Sequence, residues 1–461
     1  MAASNITIDV KSIEDFEFEV CKKFGVDELK PAQKEALKHL LSKNNVLAIL
    51  PTGFGKSLIY QMYPCMIKEP GSVVIVSPLV SLMKDQISTL TSKGFSAEMV
   101  SNVKSDQDLP TYLFGSPEEY LKGKKKKLCR WGEKPDDSKK SRRKTQQGAF
   151  REYFSHVAEL RSVLPDVTVL ALTSTASKSL QSQLKDSLII PDCKTINACP
   201  NRENIRLSVI KTPRDIASTF FWTVDKLREE KDTFPRTIIY CSSIDATGAL
   251  FHYFKEDNSQ SVLYMGMYHS ETDSVVQESH LKEMAKMSNS NLRLMFCTTA
   301  LCMGIDIKTA HHVLHFGPSF DIESYIQESG RVGRDNEPSH AVLFYHGGML
   351  REICPKLKKY IINETVCRRV NLFKDFASNK DISDIKNKKP HHRCCDICEK
   401  NCQCGHCVEH ANYFEKHMIH YCAQTDSEEE SDDSTSSLEA DAIVRSTSES
   451  SSSDDAEQHF V

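Results

Sequence analysis

Residues 46–67 read VLAILPTGFGKSLIYQMYPCMI, and the way this stretch divides decides the fold. It opens with a continuous apolar run of strand length, breaks at a glycine-containing turn, and resumes as a helical pattern. Continuous rather than alternating hydrophobicity marks a strand buried on both faces, as in a parallel sheet covered by helices. The glycines let the backbone fold with its N–H groups pointing inward, at a helix N-terminus whose dipole favours anions. Thr52, Gly53, Phe54, Gly55, Lys56 and Ser57 are therefore candidate phosphate ligands. In such a loop Lys56 is expected to reach the β and γ phosphates of a nucleotide and the Ser57 hydroxyl to hold Mg²⁺. The general pattern has Gly where this chain has Leu50.

Apolar runs of the same kind recur outward from this one: SVVIVSP (72–78), TVLALTS (168–174), TIIYCSS (237–243), LRLMFCTT (292–299) and HVLHFG (312–317). Helical patterns alternate with them, which predicts two α/β domains with parallel sheets, residues 1–196 and 197–347, parted near CPNRENI. After Gly347-Gly348 the strands stop, and a third, small helical domain with many Cys and His is expected over 348–423. Residues 424–461 hold twelve acidic side chains against one Arg, with much Ser and few large apolar residues, so a disordered acidic tail is expected there.

The formal charge of −4 is divided unevenly, since removing the −11 of the tail leaves +7 on residues 1–423. A net-basic body with an acidic tail suits a polyanion binder whose tail competes with the ligand or recruits basic protein partners; a solubility tail is the plainer alternative. The first residues, MAASNITIDV, show no basic region followed by an apolar run, and nowhere do eighteen apolar residues stand together, so neither secretion nor a membrane partner is expected. Seventeen cysteines in such a chain read as reduced thiols and metal ligands rather than disulfides.

LPTGFGKSLIYQ resembles the phosphate-binding loop of RecQ-family DNA helicases of superfamily 2, and the resemblance continues in order from Phe24 to Cys398. It implies two RecA-like lobes followed by a zinc module. Phe24-Gly25 and Leu29-Lys30-Pro31-Ala32-Gln33 are similar to the family's adenine-reading segment, which gives Gln33 the base edge; Lys30 stands where Arg is usual. Ser77 to Gln86, Gly115 to Glu119 and Ala171 to Ala176 resemble motifs of the first lobe that track DNA and couple hydrolysis to movement. Cys297 to Asp306 and Gln327 to Asp335 resemble the last two helicase motifs, so Asp306 and Gln327 join the expected nucleotide site. Arg331 and Arg334 become finger candidates, supplying charge from the second lobe to a phosphoryl group held by the first. A surface ion pair is the bland alternative for either. The family activity implied is ATP-dependent 3′ to 5′ unwinding of DNA, with single-stranded or forked DNA as partner and repair or recombination as the setting.

The same resemblance exposes a gap. Between the Ser116-Pro117-Glu118 segment and Ala171 the family carries an apolar strand ending in Asp-Glu-x-His, and here the interval reads LKGKKKKLCRWGEKPDDSKKSRRKTQQGAFREYFSHVAELRSVLPD. Trp131-Gly132 and Phe150-Arg151 resemble the flanks that follow the acidic motif, as though a segment before Cys129 were excised. The lost Asp helps to hold Mg²⁺ and the lost Glu orients the attacking water, so hydrolysis and unwinding are expected to be impaired. TYLF (111–114) is the one candidate for a substitute strand, and Glu118 or Glu119 for a substitute carboxylate. Two rival readings stand beside an active helicase: a non-catalytic nucleic-acid binder, and a truncated isoform or gene model of an active enzyme. The basic runs Lys124 to Lys127 and Lys139 to Arg143 resemble a bipartite nuclear-import signal, or else form a solvated loop of a cytoplasmic protein.

Cys367-Arg368-Arg369 and His391-His392-Arg393-Cys394-Cys395-Asp396-Ile397-Cys398 resemble the zinc module that follows the family's helicase core. Four soft or borderline ligands satisfy tetrahedral Zn²⁺, and Cys395-x-x-Cys398 lets two thiolates reach one ion from a turn. The expected set is Cys367, His392, Cys395 and Cys398, with His392 where the family has Cys; Cys394 is its competitor. Cys402, Cys404 and Cys407, with His406 and His410, are left open between a second ion and spare thiols.

Overall fold

The computed structural model describes residues 11–407, apart from 68–70, 79, 105–107, 123–156, 162–163, 258, 287–289, 303–306, 308, 352, 389 and 406. The basic runs, the residues around Cys129 and Trp131, Asp306, His406, His410 and the acidic tail all lie outside the described residues.

Twelve strands are described: β1 (Val46–Ile49), β2 (Val73–Val76), β3 (Ala97–Met99), β4 (Tyr112–Gly115), β5 (Leu170–Thr173), β6 (Lys194–Asn197), β7 (Ile205–Lys211), β8 (Thr237–Cys241), β9 (Met265–Tyr268), β10 (Leu294–Cys297), β11 (His312–Phe316) and β12 (Ser339–Tyr345). Every pairing between them is parallel. The six runs read from the sequence as buried strands are β1, β2, β5, β8, β10 and β11.

The second lobe is one six-stranded sheet in the order β7-β12-β11-β8-β10-β9. Its central strands are fully buried, as their continuous hydrophobicity requires. Helices with clear start signals cover it. Asp215 accepts a hydrogen bond from the Ser218 amide at the head of Ile216–Glu230, and Asp321 from the Ser324 amide at the head of Ile322–Ser329.

In the first lobe the strands fall into two three-stranded sheets, β5-β1-β6 and β2-β4-β3. TYLF thus belongs to β4, which pairs with β2 and β3 through Val73 to Tyr112 and Ala97 to Tyr112 and so occupies the middle of its own sheet. It is no substitute for the missing strand. Among the described residues nothing pairs with the outer edges of β2 and β5, and both strands are only half-buried where β1 and β4 are fully buried. A cavity of about 860 Å³ separates them, lined by Val73 to Val76 on one side and Leu170 and Leu172 on the other. Among the described residues this leaves a slot between the outer edges of β2 and β5; the interval in which the expected strand would lie, 123–156, falls outside them.

The helical segment after β12 does not build a core of its own. Leu357, Tyr360, Ile361, Leu372, Phe373, Ile385 and Ile397 belong to the same buried cluster as Ile205, Leu207, Val313 and Leu343 of the second lobe. Two buried guanidinium groups stitch the join. Arg368 bonds Asp396 through Nε at 2.9 Å and the Tyr360 carbonyl through Nη1 at 2.8 Å. Arg369 donates to the Asn201 side chain at 2.6 Å and the Arg202 carbonyl at 2.7 Å. Each arginine is satisfied by several acceptors, which is what makes its burial tolerable.

Candidate nucleotide site and metal centres

The turn after β1 places its glycines as the sequence requires. Gly53 has φ 79° and Gly55 φ 85°, both in the left-handed region, and a Cβ on Gly55 would meet the Gln33 amide nitrogen at 2.7 Å. Gln33 is buried and donates to the Phe54 and Gly55 carbonyls at 3.1 and 3.0 Å, while its own oxygen accepts from the Lys30 amide at 2.8 Å. Lys30 lies over the Phe54 ring, 4.5 Å from its centroid. The helix Pro31–Leu41 is thus tied to the loop that precedes Lys56–Met62, with Pro31 and Gly55 fixing where each helix starts.

Lys56 folds back on its loop, donating to the Leu50 and Pro51 carbonyls at 2.9 and 3.0 Å. Burial pushes its ammonium pKa down to about 8, and the charges of Arg331 and Arg334 push the same way. Two arginines of the second lobe therefore act on the lysine of the first, and the three cations form a positive focus that an anion would relieve.

The loop that carries the two arginines is built to hold them. Ile322–Ser329 presents Gln327 and ends at Gly330, whose carbonyl accepts from Arg202 at 3.2 Å. Gly333 sits at φ 60°, where a Cβ would collide with Ser339 and Asn204; its amide donates to Ala310 at 2.9 Å, and its carbonyl accepts from Asn204 at 2.8 Å. Beneath it the fully buried Glu328 pairs with His315 at 3.1 Å. Arg202, Asn204 and Glu328 escaped the sequence reading as supports, because the first two act through backbone carbonyls far along the chain and Glu328 through a histidine on the preceding strand.

Whereas the loop of Arg331 and Arg334 lies between Ile322–Ser329 and the start of β12, the glycine loop with Lys56 and Ser57 follows the C-terminal end of β1, where open α/β sheets bind their ligands. The cavity between β2 and β5 opens onto the same place, since Lys56, Ser57, Tyr60 and Gln86 also line it. Among the described lining residues there is no Asp or Glu. Glu119 is engaged elsewhere, accepting from the Ser116 amide at 2.8 Å to cap the short helix Pro117–Lys122. The glycine loop and the cations fit a nucleotide's phosphates, whereas for a phosphate-bound Mg²⁺ the described lining of the cavity offers the Ser57 hydroxyl and no carboxylate. Asp306 falls outside the described residues.

Downstream, the structure groups the candidate metal ligands differently from the expected set. Cys367, Cys394, Cys395 and Cys398 bring four sulfur atoms within 4.8 Å of one another, and His392 is not among them. Cys367 Sγ lies 3.5 Å from Cys394 Sγ and 3.9 Å from Cys395 Sγ. Tetrahedral Zn–S bonds of about 2.3 Å imply separations of about 3.8 Å, so the thiols fit one zinc ion and are too far apart for disulfides. The reason is local. His391–Arg393 forms a tight 3-10 turn, which turns the His392 side chain away while Cys394 meets Cys367. The Cys394 carbonyl accepts from Leu207 of β7, so the turn is fastened to the second lobe's sheet.

Comparison with known proteins follows the same division. Residues 30–121 match the DEAD/DEAH box helicase family and residues 221–336 the helicase conserved C-terminal domain. The chain is 28% identical over 402 residues to the ATP-dependent DNA helicase Q-like 2 of Arabidopsis thaliana, covering 79% of this chain and 55% of that protein. It is 26% identical over 351 residues to the ATP-dependent DNA helicase RecQ of Haemophilus influenzae, covering 70% and 52%. The chain thus spans about half the length of these curated relatives. Among solved structures, S. cerevisiae Dbp5 bound to RNA and ADP BeF3 superposes with a TM-score of 0.57 at 16% identity, over 75% of this chain and 91% of that one. The helicase MrfA bound to DNA gives 0.57 at 16% identity, over 74% and 52%. The fold is that of two RecA-like lobes.

Proposed function

We propose, for a chain that belongs with the RecQ-like ATP-dependent DNA helicases, that it binds ATP and DNA but hydrolyses ATP poorly, acting as a nucleotide-responsive DNA binder rather than an efficient unwinding motor. The observation that carries this reading is the slot between β2 and β5. It opens onto Lys56 and Ser57 with no carboxylate in its described lining. Gln33, Thr52, Gly53, Phe54, Gly55 and Lys56 hold the nucleotide, and Arg331 and Arg334, positioned behind Gln327, clamp its terminal phosphate from the other lobe. When bound, Mg²⁺ supplies charge neutralisation to the phosphates; here Ser57 is its protein ligand. Closure of the lobes on ATP changes the separation of their DNA-contacting segments, so DNA affinity follows the nucleotide state even without turnover. By family, single-stranded or forked DNA is the partner, 3′ to 5′ the polarity, and repair or recombination in the nucleus the setting. The reading as a non-catalytic binder is favoured over an active helicase by the same slot.

ATP binding tests the phosphate site. The ammonium of Lys56 has its pKa held at about 8 by burial and by the two arginines, and phosphate oxygens reverse that shift. ATP affinity should therefore be flat below pH 8 and fall above it, because binding must then bring a proton with it. Calorimetry in buffers of different ionisation enthalpy should register that uptake near pH 8.5, and Lys56→Ala should abolish binding. The stability of the unliganded protein moves the other way: a depressed Lys pKa is a penalty below pH 8 that is relieved as pH rises from there toward 10.5. An ATP affinity that does not change between pH 7 and 9.5 contradicts this assignment.

DNA binding should survive the defect, since residues 1–423 carry +7. Affinity for single strands should fall steeply as salt rises, by counterion release, and should strengthen when residues 424–461 are removed. Fluorescence anisotropy against salt, with and without the tail, measures both, and salt-insensitive binding contradicts the electrostatic account. No helix among the described residues is long and apolar enough to cross a membrane.

A further inference from the structure

We propose that His392, Cys402, Cys404 and Cys407 form a second zinc site, distinct from the four-thiol cluster and built from three thiolates and one imidazole. One ligand atom from each of the four lies within 4.8 Å of all the others. His392 Nδ1 stands 3.5 Å from Cys402 Sγ and 3.2 Å from Cys404 Sγ, and the Cys404 and Cys407 sulfurs are 3.5 Å apart. Tetrahedral zinc with bonds of about 2.05 Å to nitrogen and 2.3 Å to sulfur implies N to S separations of about 3.6 Å and S to S separations of about 3.8 Å. The observed set needs adjustments of a few tenths of an ångström to close on one ion. Disulfides do not account for it, since all of these cysteines are free thiols and the sulfurs stand well beyond bonding distance.

The sequence logic is equally specific. Two Cys-x-x-Cys knuckles follow one another, Cys395 to Cys398 and Cys404 to Cys407, and each can seat two thiolates on its own ion. Cys367 and Cys394 complete the first. The second takes Cys402 and, from the turn His391–Arg393, the imidazole that Cys394 has displaced from the first set. His392 is itself buried, and Arg206 of β7 donates to its backbone carbonyl and pairs with Glu399 at 2.7 Å, so the imidazole is held on the rigid edge of the second lobe. Four protein ligands leave no open position, so the ion is structural. It pins Cys402, Cys404 and Cys407 to the turn at 391–393. Because the two ions grip opposite ends of one short turn, filling either site orders the other.

The test is metal analysis of the full chain purified with zinc present, together with zinc-edge X-ray absorption. Two ions per chain are expected, with a mean shell of 3.5 sulfurs and 0.5 nitrogen. Cys404→Ser/Cys407→Ser should lower the count from two to one while ATP binding by the first lobe persists as the control for folding. His392→Cys should keep two ions and change the mean shell to four sulfurs, an outcome that a merely structural histidine would not give. One ion in the wild type, unchanged in the Cys404→Ser/Cys407→Ser variant, overturns the proposal. So does a His392→Cys protein whose nitrogen signal is undiminished.

Discussion

Inserting an apolar strand that ends in Asp-Glu-x-His immediately before Cys129 should raise DNA-stimulated ATP hydrolysis by orders of magnitude and stabilise the first lobe at the same time. Both effects come from one place. The open edges of β2 and β5 are parallel strands separated by a cavity of about 860 Å³, so a strand laid between them pairs on both sides and fills apolar space lined by Val73, Ile75, Leu170 and Leu172. Each buried Val, Leu or Ile contributes about 1.5–3 kcal/mol. The C-terminal end of that strand falls beside Lys56 and Ser57, which is where a metal-binding Asp and a water-orienting Glu must stand. A general base by itself is worth about 10² to 10⁴ in rate, and a correctly held metal adds to it. A control strand ending in Asn-Gln-x-His should give the stability without the rate. Denaturant midpoints and steady-state turnover separate the two, and an insert that stabilises the lobe without restoring hydrolysis would show that the carboxylates are not what is missing.

Removing the four-thiol cluster, which we propose holds zinc, should be the most damaging small change. Cys395 is fully buried, forms an isolated bridge with Leu207 of β7, and stands in the cluster with Cys367, Cys394 and Cys398. Structural zinc in such sites contributes about 10–16 kcal/mol of apparent binding free energy, against a typical domain stability of about 5–15 kcal/mol. Because the helical segment shares the second lobe's hydrophobic core, its loss cannot stay local. Cys395→Ser/Cys398→Ser should lose the first ion and lower the second lobe's unfolding midpoint sharply, with aggregation at 37 °C, while the first lobe still binds ATP. A folded, metal-free wild-type protein would sink this assignment.

Much of this was legible in the sequence. Continuous apolar runs flanked by turn residues marked β1, β2, β5, β8, β10 and β11, because strands buried on both faces carry no alternation to confuse with anything else. Of those that escaped, AEM of β3, KTIN of β6 and MGMY of β9 are short or partly polar and IRLSVIK of β7 is broken by Arg206 and Ser208, whereas SHAVLFY of β12 carries the same continuous apolar signal and was passed over. The phosphate loop was legible because glycine at positive φ beside Lys-Ser has few other uses. The metal ligands were legible as a group but not as sets. Spacing offers both His392 and Cys394 as partners for Cys367, and only the tight turn at 391–393, fastened to β7 through Leu207 and Arg206, decides between them. The gap between motifs was visible in the sequence, but that the described strands of the first lobe fall into two sheets depends on which strands lie side by side, and that is a property of the fold alone.

The central claim is that the groups which hold ATP remain while those which activate water are gone. It is tested most directly by measuring ATP binding and DNA-stimulated ATP hydrolysis on the same preparation of the chain, with Lys56→Ala beside it. The account predicts measurable ATP binding that Lys56→Ala abolishes, together with turnover near background in both proteins whether or not single-stranded DNA is present. Robust DNA-stimulated hydrolysis by the unaltered chain, lost in Lys56→Ala, would contradict it and would mean that another carboxylate reaches the nucleotide.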